Sequence, residues 1–239
     1  MLTRLSGFVS IVGFPLLLLS SAPGSLLMRL PRRLLLALFL TTIVTVPARA
    51  QNLVANPGFE SPAPAGITTR FTCACIPAGF AWTVGGAGVD LVQTYWAPQE
   101  GAQSLDLNQD NQGPATPPGS IEQTLATTAG GTYLVSFWMA GNPDHTRAPD
   151  DGPAVKTMDV TFGGTTQSFA FDVTGHVHAA PGWVPHQFLA VATGSSSLLR
   201  FASTTAGYAG PLVDNVSVTL QSTTPVRPSS WSRIKALYR

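Results

Sequence analysis

Two carboxylates stand in short motifs at opposite ends of the regular part of the sequence. Glu60 closes the motif NPGFE at residues 56–60, and Asp214 opens the motif DNVSV at residues 214–218. In a β-sandwich whose first and last strands lie side by side, these carboxylates would meet at one cation or at one cluster of hydrogen bonds. The sequence leaves both alternatives open. Either arrangement fits a binding module better than an enzyme.

A second group of residues has the chemistry that sugar binding needs. Aromatic faces stack on the apolar side of a sugar ring, while amides and carboxylates bond its hydroxyl groups. Tyr95 and Trp96 follow a predicted strand and lie near polar side chains, although packing in the core is the more frequent role of such aromatic residues. The candidate contacts are Tyr95, Trp96, Asp106, Asn108 and Asn142.

Carboxylates for glycoside hydrolysis can also be nominated, since such a pair needs only a separation of about 5 to 10 Å in space. Asp90, Asp106 and Asp144 are the candidates, but their spacing in sequence does not place them together. Asp106 lies between two leucines in a strand pattern, so its side chain is expected to be solvated or to pair across the sheet. The sequence contains none of the local signatures of the common enzyme classes. We therefore expect a protein without catalytic activity.

Charge is divided unevenly along the 239 residues. The whole chain has 13 basic and 12 acidic residues, but its first fifty positions hold five arginines and no acid. The remainder has a net charge of −4 with histidine neutral. Nucleic acid is therefore excluded as an expected partner.

The first fifty residues predict a leader and secretory signal peptide rather than part of the fold. A basic segment at 29–33 precedes the apolar run 34–46, and the tripeptide at 48–50 fits cleavage before Gln51. An earlier apolar stretch makes Met28 an alternative start, and a long signal or an extra anchor is the other interpretation. The apolar run is shorter than the about 20 residues of a membrane span. We expect a secreted, periplasmic or cell-surface protein with no transmembrane helix in its mature chain.

Short alternating runs separated by turn residues predict a chain built of β-strands. Residues 157–162 alternate clearly, and Gly163-Gly164 predicts a hairpin into a strand at 167–171. Residues 133–140 are apolar on both faces, which predicts a central core strand. Further strands are expected at 80–84, 89–92, 104–107, 120–125, 183–191, 197–202 and 213–220. This spacing predicts one all-β sandwich or barrel at 51–220.

The sequence also leads to expectations for the loops, the cysteines, the carboxyl-terminal tail and the tryptophans. The polar loops 108–119 and 142–153 are expected to host function. Cys73 and Cys75 are either bridged in a small strained ring or left as two thiols. Residues 221–239 form a linker and a basic tail, which is either a small amphipathic address tag or a frayed terminus. The tryptophans inside strand patterns, Trp82, Trp138 and Trp183, are expected in the core.

Taken in order, seven motifs resemble one family. They are NLVANPGFE (52–60), Trp82 followed by VDL (89–91), GAQSLDLN (101–108), IEQTL (121–125), YLVSF (133–137), AGNPD (140–144) and GPLVDNV (210–216). This set resembles the bacterial choice-of-anchor C family and is similar to the plant cell-wall proteins of the domain-of-unknown-function family six-four-two (DUF642). The resemblance covers about residues 51–220.

The resemblance implies an all-β jelly-roll β-sandwich of the galactose-binding-like type, exported and surface-associated, with no established catalytic activity. It implies as partner a polysaccharide or a cell-wall or envelope glycan, with other surface proteins as the alternative. Jelly rolls of similar shape often hold a structural calcium ion, and Glu60 and Asp214 match the positions of its ligands. Bacterial relatives commonly end in a sorting segment with an apolar span, from which residues 225–239 depart.

Overall fold

The computed structural model describes residues 51–223, apart from residues 65, 73, 110–116 and 147–149. The predicted leader, Cys73 and the basic tail from residue 224 lie outside the described residues. The described strands are β1 (Thr68–Phe71), β2 (Thr83–Gly85), β3 (Val89–Val92), β4 (Ser104–Asp106), β5 (Ser120–Ala126), β6 (Gly131–Gly141), β7 (Val155–Phe162), β8 (Thr165–Asp172), β9 (Val184–Val191), β10 (Ser196–Ser203) and β11 (Pro211–Thr223).

The strands form two antiparallel sheets that pack face to face as a jelly-roll β-sandwich. One sheet has the order β1-β3-β4-β11-β6-β9, and the other has the order β2-β5-β10-β7-β8. The all-β fold class predicted from the sequence is confirmed. Within the described residues, no helix is long and apolar enough to cross a membrane.

Aromatic side chains join the two sheets across the core, because alternate residues of each strand face inward. The ring of Phe137 in β6 lies 5.2 Å from the ring of Phe201 in β10, at an interplanar angle of 87°. Tyr133 and Phe162 meet in the same way, with ring centroids 5.6 Å apart. Trp82 is fully buried against Phe201, as the sequence predicted.

The strongest strand predictions agree with the structure. The predicted hairpin is the pair β7–β8, in which Phe162 pairs with Thr165 across the glycine turn. The strand at 89–92 is found at its expected bounds. Strand β1 has no counterpart among the predicted strands, because its sequence TTRF has little apolar alternation and its residues are exposed or half-buried.

The prediction for Trp138 and its strand needs correction. Strand β6 lies in the interior of its sheet, between β11 and β9, but it is buried on one face only. Trp138 is half-buried on the outer face, where it pairs with Pro185 of β9. Trp183 is also outside the fully buried core, and its indole N–H donates to the carbonyl of Ala97. An apolar sequence on both strand faces therefore did not mean that both faces are covered.

The amino-terminal segment runs beside the last strand, although it forms no strand of its own. The backbone N–H of Leu53 donates to the carbonyl of Val218, and Asn52 Oδ1 accepts from the N–H of Val218. The two ends of the regular sequence are therefore neighbours. Cys75 is disulfide-bonded, which favours the bridged interpretation over a free thiol at that position.

Candidate functional site

A cavity of about 320 Å³ lies on the outer face of the six-stranded sheet, at the β1–β3–β4 side. Its wall combines aromatic rings with carboxyl and amide groups. The lining residues are Ile67, Thr68, Asp90, Val92, Tyr95, Trp96, Asp106, Asn142, Asp144, Asp151, Tyr208 and Ala209. We call this cavity the acidic cleft. It contains four of the five predicted contact residues and all three predicted carboxylates.

Strand alternation places two carboxylates in the floor of the acidic cleft. Leu91 and Leu105 pair across β3 and β4 and point into the core, so Asp90 and Asp106 must point to the opposite face. Asp90 and Asp106 are themselves direct cross-strand partners. Such partners have Cβ atoms about 4.5 to 5.5 Å apart, which brings the two carboxyl groups side by side.

The carboxyl group of Asp106 is buried and surrounded by hydrogen-bond donors. Its Oδ1 accepts from the backbone N–H of Asn108 at 2.8 Å and of Gly210 at 3.1 Å, while its Oδ2 accepts from Asn142 Nδ2 at 2.9 Å. Burial and, to a smaller extent, the neighbouring charge of Asp90 nevertheless raise the pKa of Asp106 to about 8 against these donors. Asp106 therefore holds its proton at neutral pH.

The negative charge of Asp90 is balanced by an arginine of the neighbouring strand. Arg70 in β1 is its partner in the strand register, and Arg70 Nε lies 3.2 Å from Asp90 Oδ1. The Asp90 side chain is 8% exposed and that of Arg70 is 32% exposed. The arginine thus forms an ion pair with a nearly buried carboxylate beside Asp106.

The two aromatic residues predicted to stack on a ligand have different environments. Tyr95 is 42% exposed at the rim, and its hydroxyl donates to Asp144 Oδ2 at 3.0 Å. Its ring lies 4.3 Å from that of His178, whose Nε2 is 3.2 Å from Asp144 Oδ1. Trp96 is only 5% exposed, and its indole N–H donates to Ser104 Oγ at 2.7 Å. Tyr95 therefore offers a ring face, whereas Trp96 forms a fixed wall.

Asn108 lies behind the wall of the acidic cleft rather than on its surface. Its Nδ2 donates to the carbonyls of Thr205 and Gly207, at 3.0 and 2.7 Å, and its side chain is fully buried. The prediction that Asn108 contacts a ligand therefore does not fit its position. Its amide instead attaches the 205–210 segment, which includes the cleft residues Tyr208 and Ala209.

Lys156 is a residue of this site that the sequence reasoning missed. It is completely buried, and its Nζ donates to the carbonyls of Asp151 and Asp144, at 3.0 and 3.4 Å. Burial lowers its pKa, while Asp106, Asp151 and Asp144 oppose that change. Lys156 thereby attaches the 142–153 loop to the sheet. Lys156 shares the two-residue spacing of Met158 and Val160 in β7, and this pattern is the sequence signal that predicts its burial.

Glu60 and Asp214 come together at a separate place, as the sequence predicted. Both flank Gly58, where an added Cβ would lie 3.8 Å from Asp214 Oδ1 and from Glu60 Cγ. Asp214 Oδ2 accepts from the N–H groups of Gln99 and Glu100, and Glu60 Oε1 accepts from those of Ala102 and Gln103. The two carboxylates thus hold the 99–103 loop through one hydrogen-bond cluster.

The donor set of this pair is compatible with a hard cation. Burial and, to a smaller extent, the charge of Glu60 raise the pKa of Asp214 to about 7, although three backbone N–H groups donate to it. Calcium takes 6 to 8 oxygen ligands, of which the two carboxylates supply only part. No cluster of three or more His, Cys, Asp or Glu side chains suited to a metal occurs among the described residues. Backbone carbonyls or water would have to complete the shell.

A family model described as a protein of unknown function (DUF642) matches residues 52–219. The chain belongs to the DUF642 family. A curated relative, halomucin of Haloquadratum walsbyi, is 26% identical over 191 residues, which is 77% of this chain. The matched part spans 2% of the length of halomucin. The predicted membership of the choice-of-anchor C family stays a prediction.

Several solved structures are similar to this DUF642 chain. TmCBM61 in complex with β-1,4-galactotriose has a TM-score of 0.44 and 18% identity, covering 72% of this chain and 100% of its own. The CBM22-1 xylan-binding domain of Xyn10C from Paenibacillus barcinonensis has a TM-score of 0.41 and 18% identity, covering 73% and 97%. A cyclase from Fischerella sp. TAU has a TM-score of 0.49 and 16% identity, covering 74% and 100%. Since both binding modules and an enzyme occur, these likenesses describe a strand arrangement and not an activity.

Proposed function

We propose that this DUF642 protein is an exported, noncatalytic module that binds cell-wall or envelope polysaccharide in the acidic cleft. The observation that carries this proposal is the meeting of the exposed Tyr95 ring, the Asn142 amide and the Asp106 carboxyl group in one concave site. These are the two ingredients of sugar recognition, an aromatic face and polar groups that bond hydroxyls. Trp96 closes the wall beside them.

The size of the acidic cleft fits a short stretch of a glycan. Its volume of about 320 Å³ is at the lower end of small-ligand sites, which span roughly 300 to 1,000 Å³. One or two sugar units would occupy the cleft, with the rest of the chain passing over the rim. Tyr95 stands at that rim and would contact the unit that leaves the cleft.

A glycan array probed with the full chain tests the proposal. We expect selective retention on a small set of polysaccharides, and Tyr95→Ala should reduce it by about fivefold, because stacking of one ring contributes on the order of 1 kcal/mol. Trp138→Ala is the matched control, since Trp138 is a half-buried aromatic residue on the same sheet but outside the cleft. Retention on no glycan by the folded chain would refute the function.

Glycoside hydrolysis is the second candidate, because Asp90, Asp106 and Asp144 all line one cleft. A buried carboxyl group that retains its proton is suited to act as a general acid, and its neighbour as a carboxylate. Release of reducing ends from a bound polysaccharide, lost in Asp106→Asn, would establish the hydrolase. Binding without release at any pH from about 4 to 8 supports the noncatalytic module.

We further propose a structural calcium ion at Glu60 and Asp214. The position of both carboxylates beside Gly58 supports it, since a divalent cation would balance two neighbouring carboxylates. The ion would hold the 99–103 loop, which leads directly into β4 and Asp106. Calcium would therefore act on the cleft through the position of this loop.

A further inference from the structure

Strand β9 is the terminal strand of the six-stranded sheet and pairs with β6 on one side. It extends over 8 residues, and in the part of the chain that the structure describes no strand pairs with its other side. Such an edge presents a row of backbone N–H and carbonyl groups with which a further strand can pair. The side of the sandwich formed by β9 is therefore a template for one more strand.

The pairing with β6 shows which backbone groups of β9 face the free edge. The N–H of Ala192 donates to the carbonyl of Gly131, and the carbonyl of Ala192 accepts from the N–H of Gly130. Ala192 thus directs both of its backbone groups toward β6. This direction alternates from residue to residue along an antiparallel strand. The residues of β9 that direct their backbone groups to the free edge are therefore Pro185, Gln187, Leu189 and Val191.

The side chains of β9 make this edge apolar and uncharged. Its sequence VPHQFLAV contains no Asp, Glu, Lys or Arg. Leu189 and Val191 are 59% and 51% exposed, whereas the ring of His186 turns toward Phe169, with ring centroids 4.9 Å apart. Edge strands are commonly protected from pairing by charged side chains, bulges or proline. Of these devices β9 has only Pro185, which lies near its start.

The terminal strand of the second sheet lies beside β9. Strand β8 ends the five-stranded sheet, and its residue Phe169 contacts the rings of His186 and Phe188, with centroids 4.9 and 6.3 Å apart. Both sheets therefore end at the same side of the sandwich. A twofold axis perpendicular to the sheets would place β9 against β9 and β8 against β8 of a second copy, with antiparallel strands in both pairs.

We propose that two copies of this chain form a dimer by antiparallel pairing of β9 with β9. The pairing is centred on Leu189, so that Leu189 meets Leu189 of the second copy and Gln187 meets Val191. In this register the edge-facing N–H and carbonyl groups of these three residues all find partners. Pro185 has no N–H to donate and lies beyond the paired residues.

The chemistry of the edge fits a second copy of itself. Self-pairing brings the apolar side chain of Leu189 against an identical one, which removes both from water. It brings no two like charges together, because β9 carries none of the four charged residue types. The symmetric contact also closes after two copies, since each copy uses the same edge.

The dimer would present two acidic clefts, and this consequence rests on the proposed function. The cleft lies at the β1–β3–β4 side of the sheet, and β9 is at the opposite edge, so pairing leaves both clefts open. About nine strand spacings separate β3 of one copy from β3 of the other, which is roughly 40 Å. One dimer would therefore hold two polysaccharide segments, and avidity would strengthen its retention on a dense glycan surface.

Sedimentation velocity of the full chain tests the interface over about 1 to 500 μM, the range in which small interfaces dissociate. We expect a shift from monomer to dimer with rising concentration. Leu189→Lys should raise the dissociation constant at least about tenfold, because two like charges would then face each other across the pairing. Leu198→Lys is the matched control, since Leu198 is 40% exposed on β10, inside the other sheet.

A cysteine substitution tests the register. Directly opposed residues that exchange both hydrogen bonds have Cα atoms about 5.5 Å apart, which is within the range of a disulfide. Mild oxidation should therefore give a covalent dimer of Leu189→Cys but not of Leu198→Cys. The wild type, in which Cys75 is disulfide-bonded, is oxidised in parallel as the control for exchange with the native cysteines.

A wild type that stays monomeric over the whole range, a dimer that Leu189→Lys does not weaken, or a missing Leu189→Cys cross-link would overturn the inference. The proposed function survives each of these results if Tyr95-dependent glycan binding is found. On immobilised polysaccharide, the dimer should be retained at least about tenfold more tightly than Leu189→Lys. Equal retention would remove the two-cleft role, and a folded dimer that binds no glycan would remove the proposed function but not the interface.

Discussion

Asp90 and Asp106 face each other across the antiparallel pairing of β3 and β4, beneath the loops that form the walls of the acidic cleft. Asp90 forms an ion pair with Arg70, whereas Asp106 accepts its hydrogen bonds from backbone and amide N–H groups. These two neighbouring carboxyl groups therefore have different electrostatic environments, and burial raises the pKa of Asp106 to about 8. This difference gives the cleft its chemistry, and it can be measured.

The stability of the protein should fall as pH rises, and Asp106 should be a main cause. The pKa of Asp106 is about 8 in the folded protein against an ordinary value of 3.8, so the folded state binds more protons between these values. Its contribution is fully present below about pH 4 and is lost as pH rises to about 8. Asp214, with a pKa of about 7, acts in the same direction.

Urea unfolding at about pH 5 and pH 8 measures this effect in the wild type and in Asp106→Asn. The variant should gain free energy of unfolding relative to the wild type as pH rises, by up to about 4 kcal/mol, since each pH unit contributes at most about 1.4 kcal/mol. Parallel dependences of the two proteins on pH would contradict the raised pKa of Asp106.

Substitutions of Tyr95 and Trp138 should show which of these two aromatic residues contacts the glycan. Tyr95→Phe keeps the ring but removes the hydroxyl that donates to Asp144, so it should retain most glycan binding. Tyr95→Ala should lower the affinity for the glycan by about fivefold. The affinity of each variant for the best glycan on the array provides the measurement, and stronger loss in Trp138→Ala would move the site to the outer face of β6 and β9.

Chelation should lower the melting temperature if calcium links Glu60 and Asp214. At a free ion concentration of about 100 times its dissociation constant, the ion contributes about 2.7 kcal/mol. For a domain of this size that corresponds to roughly 5 to 10 °C. Asp214→Asn should melt lower than the wild type and should no longer respond to chelator. If chelator does not change the melting temperature of the wild type, Glu60 and Asp214 form only the hydrogen-bond cluster and no calcium site.

Gly210→Ala should displace the buried side chains that support the acidic cleft. An added Cβ at Gly210 would contact Asp106 Oδ1 and would lie 2.7 Å from Asn108 Oδ1, and neither buried side chain can move freely. We expect destabilisation by about 1 to 3 kcal/mol, as for other overpacked sites, together with weaker glycan binding. Gly66→Ala is the control, because an added Cβ there meets nothing within 4 Å. Equal stability of both variants would contradict the packing around Asp106.

Parts of this architecture follow from local patterns along the chain. The hairpin of β7 and β8 is predictable because alternation and a glycine pair act over a few residues. The meeting of Glu60 and Asp214 is predictable because their motifs lie in the first and last segments of the regular sequence, which are neighbours in the sandwich, and Gly58 lies between them in the structure. The failures are equally instructive. Trp138 is apolar, yet no local rule states whether a second layer covers its face of the sheet.

The sequence by itself determined a chain of short strands, its likeness to DUF642 proteins and the residue types available for sugar binding. Only the tertiary structure decided that Asp90, Asp106 and Asp144 share one cleft, that Asn108 lies behind its wall and that Lys156 holds its loop. Strand periodicity is a property of neighbouring residues, whereas a cleft depends on register and loop placement between segments distant in sequence. The protonation of Asp106 depends in turn on burial and on Asp90, which the register brings beside it.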